Sequence, residues 1–144
     1  MLEPSKELPL FVYGSLSEGF YNHDIYLKGK VLTKQEARTK GKLFHLVNKG
    51  YPAMIDGDEW IYGELVTIED YKKTVEEMDE MEHYYGENNP KNEYNRVILE
   101  VELVETNEKV EAYTYKYNEE SEHELKNRHE EVPHGDWRKF MKEE

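Results

Sequence analysis

"LPLFVYGSLSEGFYNH", residues 8–23, holds two kinds of chain in one stretch. Leu10 to Tyr13 is a short run of apolar, β-branched and aromatic residues, the composition of a buried strand. It breaks at once into Gly14-Ser15-Leu16-Ser17. One reading of that break is a turn between two elements. The other is that the backbone N–H groups of the loop are left open to hold a ligand.

The elements that follow alternate without a repeat. "HDIYLKG" suits a short helix, and "KVLTKQEARTKGKLFHLV" is strand-like with a break expected at Lys40-Gly41. "GYPAMI" reads as turn then strand. "EWIYGELVTI" reads as a further strand, in which Gly63 marks a bulge or a close approach of backbones. Thr67 and Asp70 then make a capping-box-like start, with Val66 and Tyr71 as a hydrophobic staple, and predict a helix from about Ile68 to Tyr84. "NRVILEVELVETNEKVEAYTYKY" predicts a β-hairpin turning at Thr106-Asn107. From about Asn118 the chain becomes a charged C-terminal extension, expected to be solvated, and "VPHGDWRKFMKE" predicts a short closing helix. Strands outnumber helices. The expected fold is a single α+β domain over 1–144, a curled sheet or small barrel with helices packed on it.

Composition excludes several classes. A chain of 144 residues buries roughly two-thirds of its unfolded surface, enough for a core without staples. With no cysteine there is neither a disulfide framework nor a thiolate nucleophile. No apolar run reaches the ~20 residues of a membrane helix, and "MLEPSKE" lacks the apolar stretch of a signal peptide. These features point to a cytoplasmic protein with no membrane partner. A formal net charge of −13 repels phosphate backbones and argues against nucleic acid. Any anionic ligand must therefore be held by local donors. Twelve tyrosines offer rings for packing and hydroxyls for hydrogen bonds.

The predicted helix contains an anomaly. At about 100° per residue from Tyr71, the positions Val75, Met78 and Tyr85 fall on one stripe, while Glu76, Glu77 and Glu80 point away. Glu82 lies in the middle of that stripe. A carboxylate on the inward face loses hydration, which raises its pKa and suits it to general-base work near neutrality. The competing reading is that Glu82 reaches out to solvent near the helix end or pairs with Arg96 or Lys91.

"VYGSL" after an apolar strand, "GFYNH", "YPAM", "YGELV" leading into a helix, "MDEMEHYY" at its end, "EYNR" and "EAYTY" occur in that order. Together, over residues 10 to about 117, they resemble the gamma-glutamylcyclotransferase-like family. The resemblance implies a small mixed β-barrel with flanking helices and a cavity at one end. It also implies conversion of γ-glutamyl compounds to 5-oxoproline with release of an amine or amino acid, without a cofactor or metal. By that resemblance Tyr13, Gly14, Ser15 and Leu16 lie in the binding cavity, and the acid/base carboxylate corresponds to Glu82, the residue the helical stripe singles out independently. Many relatives carry glycine directly after that carboxylate. This chain has His83, which changes what the local turn must accommodate.

The implied chemistry accounts for the residue types. A γ-glutamyl substrate brings its own nucleophile, the α-amine, which folds back on the γ-carbonyl to close a five-membered lactam. The protein must supply a base, an acid for the leaving amine and donors for the oxyanion. Tyr113 and Tyr115, two apart on one strand face, are candidates to line the cavity; Tyr94 and Arg96 are candidates to orient Glu82 or a ligand. For these four, core packing or an ion pair is the competing reading. A non-catalytic small-molecule binder on the same barrel is the alternative function, and the loss of Glu82 separates the two.

Other motifs fail on spacing. His123 and His129 in "HELKNRH" stand six apart where a zinc helix needs four. "DGDEWIYGELVT" has Ile61 and Thr67 where a calcium loop needs glycine and glutamate. Ser15 lacks the G-x-S-x-G elbow of a nucleophile.

Overall fold

The computed structural model describes residues 7–46, 51–87, 89–118 and 129–142. Six strands are present: β1 (Leu10–Val12), β2 (Val31–Leu46), β3 (Tyr51–Ile68), β4 (Tyr94–Leu103), β5 (Lys109–Tyr117) and β6 (His129–Glu131). The helices are α1 (Tyr71–Met81) and α2 (Trp137–Lys142), with a π-helical turn at His23–Leu27 and a 3-10 turn at Pro133–Gly135. The strand order β3-β1-β5-β4-β2 is closed by pairing of β2 with β3, which makes a five-stranded barrel; β6 adds to β2 outside that ring. The sheet is mixed because β1 pairs antiparallel with β3 but parallel with β5 through Leu10 and Tyr113. Among the described residues no helix is long and apolar enough to cross a membrane.

The short apolar run that opens the fold is explained by its position between β3 and β5. Leu10 and Val12 pack on one side with Val75 and Met78 of α1, while Phe11 and Tyr13 pack on the other with Met54, Ile61 and Trp137. A strand covered on both faces carries no polar alternation. Of the two readings of Gly63, a bulge or a close approach, the structure has the close approach: its pairing with Ala37 is in register, and a Cβ there would lie 2.4 Å from the Val12 carbonyl oxygen. Gly135, at φ 66°, is tighter still, since a Cβ would lie 1.8 Å from the Trp60 carbonyl oxygen.

Several boundaries differ from expectation. The break expected at Lys40-Gly41 is a bulge inside a continuous β2: Gly41 faces Glu59 and Lys42 faces Ile55, so the three residues between those partners are accommodated on β3. The two strands expected in "GYPAMI" and "EWIYGELVTI" are one, β3; Gly50 lies outside the described residues. The helix begins at Tyr71, not Ile68, because Ile68 is still paired with Val31. Thr67 does not cap it. Its hydroxyl meets that of Thr33 across the ladder at 2.6 Å, a cross-strand Thr pair. The β4–β5 hairpin turns where expected, with Asn107 at φ 61° and its amide donating to the Leu103 carbonyl. Most of the charged extension, including His123, lies outside the described residues.

Candidate active site

The loop after β1, the start of β3, the end of α1 and the approach to β4 enclose a cavity of about 230 Å³. Its lining includes Tyr13, Gly14, Ser15, Leu16, Glu82, Tyr94 and Tyr115. Seven of the nine residues singled out in the sequence therefore meet at one place. Tyr113 and Arg96 are absent from the lining: Tyr113 is buried in the core and Arg96 pairs with Asp79.

The loop is held from behind. The Ser17 amide donates to the Gly14 carbonyl at 2.9 Å, closing a tight turn, and the His23 amide donates to the Ser15 carbonyl at 3.0 Å. The Asn22 side-chain amide donates to Ser15 Oγ at 2.7 Å, while His23 Nδ1 contacts the Leu16 carbonyl oxygen at 3.1 Å. Ser15 is thus clamped by an amide, with the neighbouring imidazole turned to another group, which is not the arrangement of an activated nucleophile. Among the described residues no backbone carbonyl accepts from the amides of Ser15 and Leu16. Gly14 is required by packing, since a Cβ would lie 2.5 Å from Cγ of Pro52 on the opposite wall.

Glu82 stands at the C-terminal end of α1, one residue past its last helical residue, at φ −82° and ψ 1°. The turn around it is a Schellman closure. The Tyr84 amide donates to the Asp79 carbonyl at 2.8 Å and the His83 amide to the Glu80 carbonyl at 3.1 Å. His83 takes the left-handed conformation at φ 55°, the position where glycine is preferred; His is among the residue types that tolerate it best. The helix thus ends by the usual geometry without the usual residue. Its buried face is Tyr71, Thr74, Val75, Met78 and Asp79, and Glu82 continues it by three and four residues. Tyr85, expected on this stripe, is 49% exposed because it lies beyond the reversal.

Solvent reaches part of Glu82 through the cavity, but the surrounding protein strips most of its hydration. That desolvation, with Glu93 and then Asp79 adding negative charge, pushes its carboxyl from the ordinary 4.5 up to about 8. A group near this value takes and returns a proton at neutral pH. The phenols around it are neutral donors engaged with protein acceptors. Tyr13 donates to the Tyr115 carbonyl, Tyr94 to the Pro52 carbonyl and Tyr51 to Glu93 Oε2 at 2.6 Å. Burial pushes the Tyr13, Tyr94 and Tyr115 hydroxyls well above their ordinary range.

Sequence reasoning missed Asn22, Tyr51, Glu93 and Asp79. Asp79 was legible, since it precedes Glu82 by one turn on the same face. Glu93 had no periodic signal, being in a loop whose path is set by contacts such as its own amide donating to the His83 carbonyl.

Over residues 10–139 the chain matches the family described as gamma-glutamyl cyclotransferase, AIG2-like. A gamma-L-glutamyl-butirosin B gamma-glutamyl cyclotransferase from Niallia circulans is 33% identical over 109 residues, covering 76% of this chain. The chain spans 66% of that relative's length, just under two thirds. YkqA from Bacillus subtilis has a similar structure, with a TM-score of 0.64 at 23% identity over 96% of this chain and 44% of its own. An AIG2-like protein from Mus musculus gives a TM-score of 0.63 at 19% identity, covering 90% of this chain and 92% of its own. These two structures are likenesses of fold.

Proposed function

Because the chain belongs to the gamma-glutamyl cyclotransferase, AIG2-like family, we propose that it converts a γ-glutamyl amine or amide to 5-oxoproline and the free amine, with Glu82 as general base and then general acid. The observation that carries this reading is the meeting, in one cavity, of a carboxyl raised to about 8 and a tight loop whose Ser15 and Leu16 amides are not taken up by backbone carbonyls among the described residues. The Niallia circulans relative, by its name, acts on a γ-L-glutamyl group carried by butirosin B, which supports a γ-glutamyl substrate here.

The loop amides at Ser15 and Leu16 hold the substrate α-carboxylate, which lets so acidic a chain bind an anionic group. Glu82 in its ionised form removes a proton from the α-ammonium. The freed amine adds to the γ-carbonyl carbon, forming the ring C–N bond and a tetrahedral oxyanion. Collapse breaks the original amide C–N bond as Glu82 gives its proton to the departing nitrogen, and the surplus proton on the new ring nitrogen then passes through the regenerated carboxylate to the amine, which leaves as its ammonium. Water is not consumed, the carboxylate ends as it began, and the chemistry calls for no cofactor. Tyr13, Tyr94 and Tyr115 serve as binding walls, and Arg96 and Tyr113 support them from outside the lining.

The test is 5-oxoproline formation from a panel of γ-glutamyl compounds by wild type and Glu82→Gln. Glutamine keeps the shape, so the fold and 5-oxoproline binding survive while turnover falls by about 10²- to 10⁴-fold. Equal turnover by the two proteins would make the carboxylate structural. No product with any compound would favour a binding protein on the same barrel.

A further inference from the structure

Asp79 is fully buried on the same face of α1 as Glu82 and one turn before it. Its carboxylate is held from two strands at once. Arg96 of β4 forms an ion pair with Oδ2, and the Tyr115 hydroxyl of β5 donates to Oδ1 at 2.6 Å. Arg96 and Tyr115 are direct cross-strand partners, so the barrel presents them side by side as one fork. The guanidinium also lies over the rings of Tyr84 and Tyr113, 5.3 and 5.1 Å from their centroids. The main chain of Asp79 is engaged as well, its carbonyl accepting the Tyr84 amide that closes the reversal after Glu82.

We propose that Asp79 is a positioning residue for Glu82: clamped by Arg96 and Tyr115, it fixes the last turn of α1 so that the carboxylate one turn on faces the cavity, a role that rests on the acid/base reading of Glu82. A buried ion pair is a poor stability device, since an apolar pair of similar volume often holds a fold as well or better. What a fork from two strands supplies is direction. It fixes both the rotation of the helix and the point where the chain reverses, and these are the two variables that aim Glu82. Tyr115 links the clamp to the opposite wall, because its carbonyl accepts the Tyr13 hydroxyl while Tyr13 and Tyr115 both line the cavity.

The clamp also sets the field at Glu82. The groups facing that carboxylate are Asp79 and His83 on its own segment, Glu93 before β4, and the phenols of Tyr13, Tyr51, Tyr94 and Tyr115 from β1's loop, β3, β4 and β5. Of these, Glu93 and Asp79 raise it by charge. Neutralising Asp79 removes one repulsion and leaves Arg96 without its counter-charge nearby.

The experiment follows the Glu82 side-chain carboxyl resonance against pH in ligand-free, isotope-labelled protein, alongside steady-state kinetics. Asp79→Asn is expected to lower the midpoint by about one pH unit or more. It should reduce kcat about tenfold to hundredfold with KM little changed, the effect of a misaimed group. The second variant, Asp79→Leu with Arg96→Met, removes both buried charges; it is expected to fold and to remain at least about tenfold slower than wild type. An unchanged midpoint in Asp79→Asn, or wild-type kcat in the apolar pair, overturns the proposal. Should Asp79→Asn fail to fold, the apolar pair decides. The titration needs no substrate, so an inactive wild type would sink the cyclotransferase reading and still leave the midpoint to judge the coupling.

Discussion

Glu82→Gln removes a carboxyl whose ionisation the folded protein resists, and pH reads the cost. In the unfolded chain this carboxyl loses its proton near 4.5, whereas in the cavity it does so near 8. Between those values the native state binds the proton and the unfolded state has released it, so stability falls as pH rises, by up to ~1.4 kcal/mol per pH unit for this group. Glutamine carries no such proton. The stability difference, Glu82→Gln minus wild type, should therefore widen with pH. Integration from pH 5.5 to 8.5 gives about 3 kcal/mol, and allowing for solvent in the cavity reduces this to roughly 1.5–3 kcal/mol. Acidic groups that do not interact with Glu82 are common to both proteins and drop out of the comparison. The assay is equilibrium urea unfolding of both proteins at half-unit steps of pH, with m held constant across the pair. A difference flat to within ~0.5 kcal/mol over that range would show that Glu82 titrates as a surface carboxylate does, and the physical basis for acid/base work at neutrality would be gone.

Two further perturbations test the frame around the carboxylate. His83→Gly removes the Cβ from a left-handed position at φ 55° and should stabilise the protein by up to about 1 kcal/mol in the same unfolding assay; destabilisation would mean that the imidazole contact with the Tyr85 hydroxyl outweighs the strain. Gly14→Ala places a methyl 2.5 Å from Pro52 Cγ, so the loop or the wall must shift; KM should rise about tenfold or more while circular dichroism remains native, and an unchanged KM would remove the loop from substrate binding.

The cyclotransferase reading drew on residues legible in order along the chain, yet their roles differ in how far local pattern reaches. Glu82 was visible because a helix repeats every 3.6 residues, and an acidic residue on its apolar stripe is a local contradiction. The loop at Gly14 was visible because small residues directly after an apolar run mark a turn. Arg96 showed only that a cation follows the helix in sequence. Its partner was decided by the register of β4 on β5, which sets it beside Tyr115 and opposite Asp79, not at Glu82.

What the sequence by itself determined is what local periodicity and steric demand encode: the α+β class, the buried first strand, the hairpin at Thr106-Asn107, a glycine at 63 that marks either a bulge or a close approach, and a carboxylate on the apolar stripe of the helix. What only the tertiary structure decided is where elements stop and which polar groups meet. Thr67 has the chemistry of a helix cap but lies on a strand, because pairing with β2 continues to Ile68 and its hydroxyl finds Thr33 first. Tyr51, Glu93 and Asn22 reach one cavity from three separate stretches of chain. Their proximity is a property of barrel closure, and closure depends on long-range hydrogen bonding between strands, which no window of neighbouring residues contains.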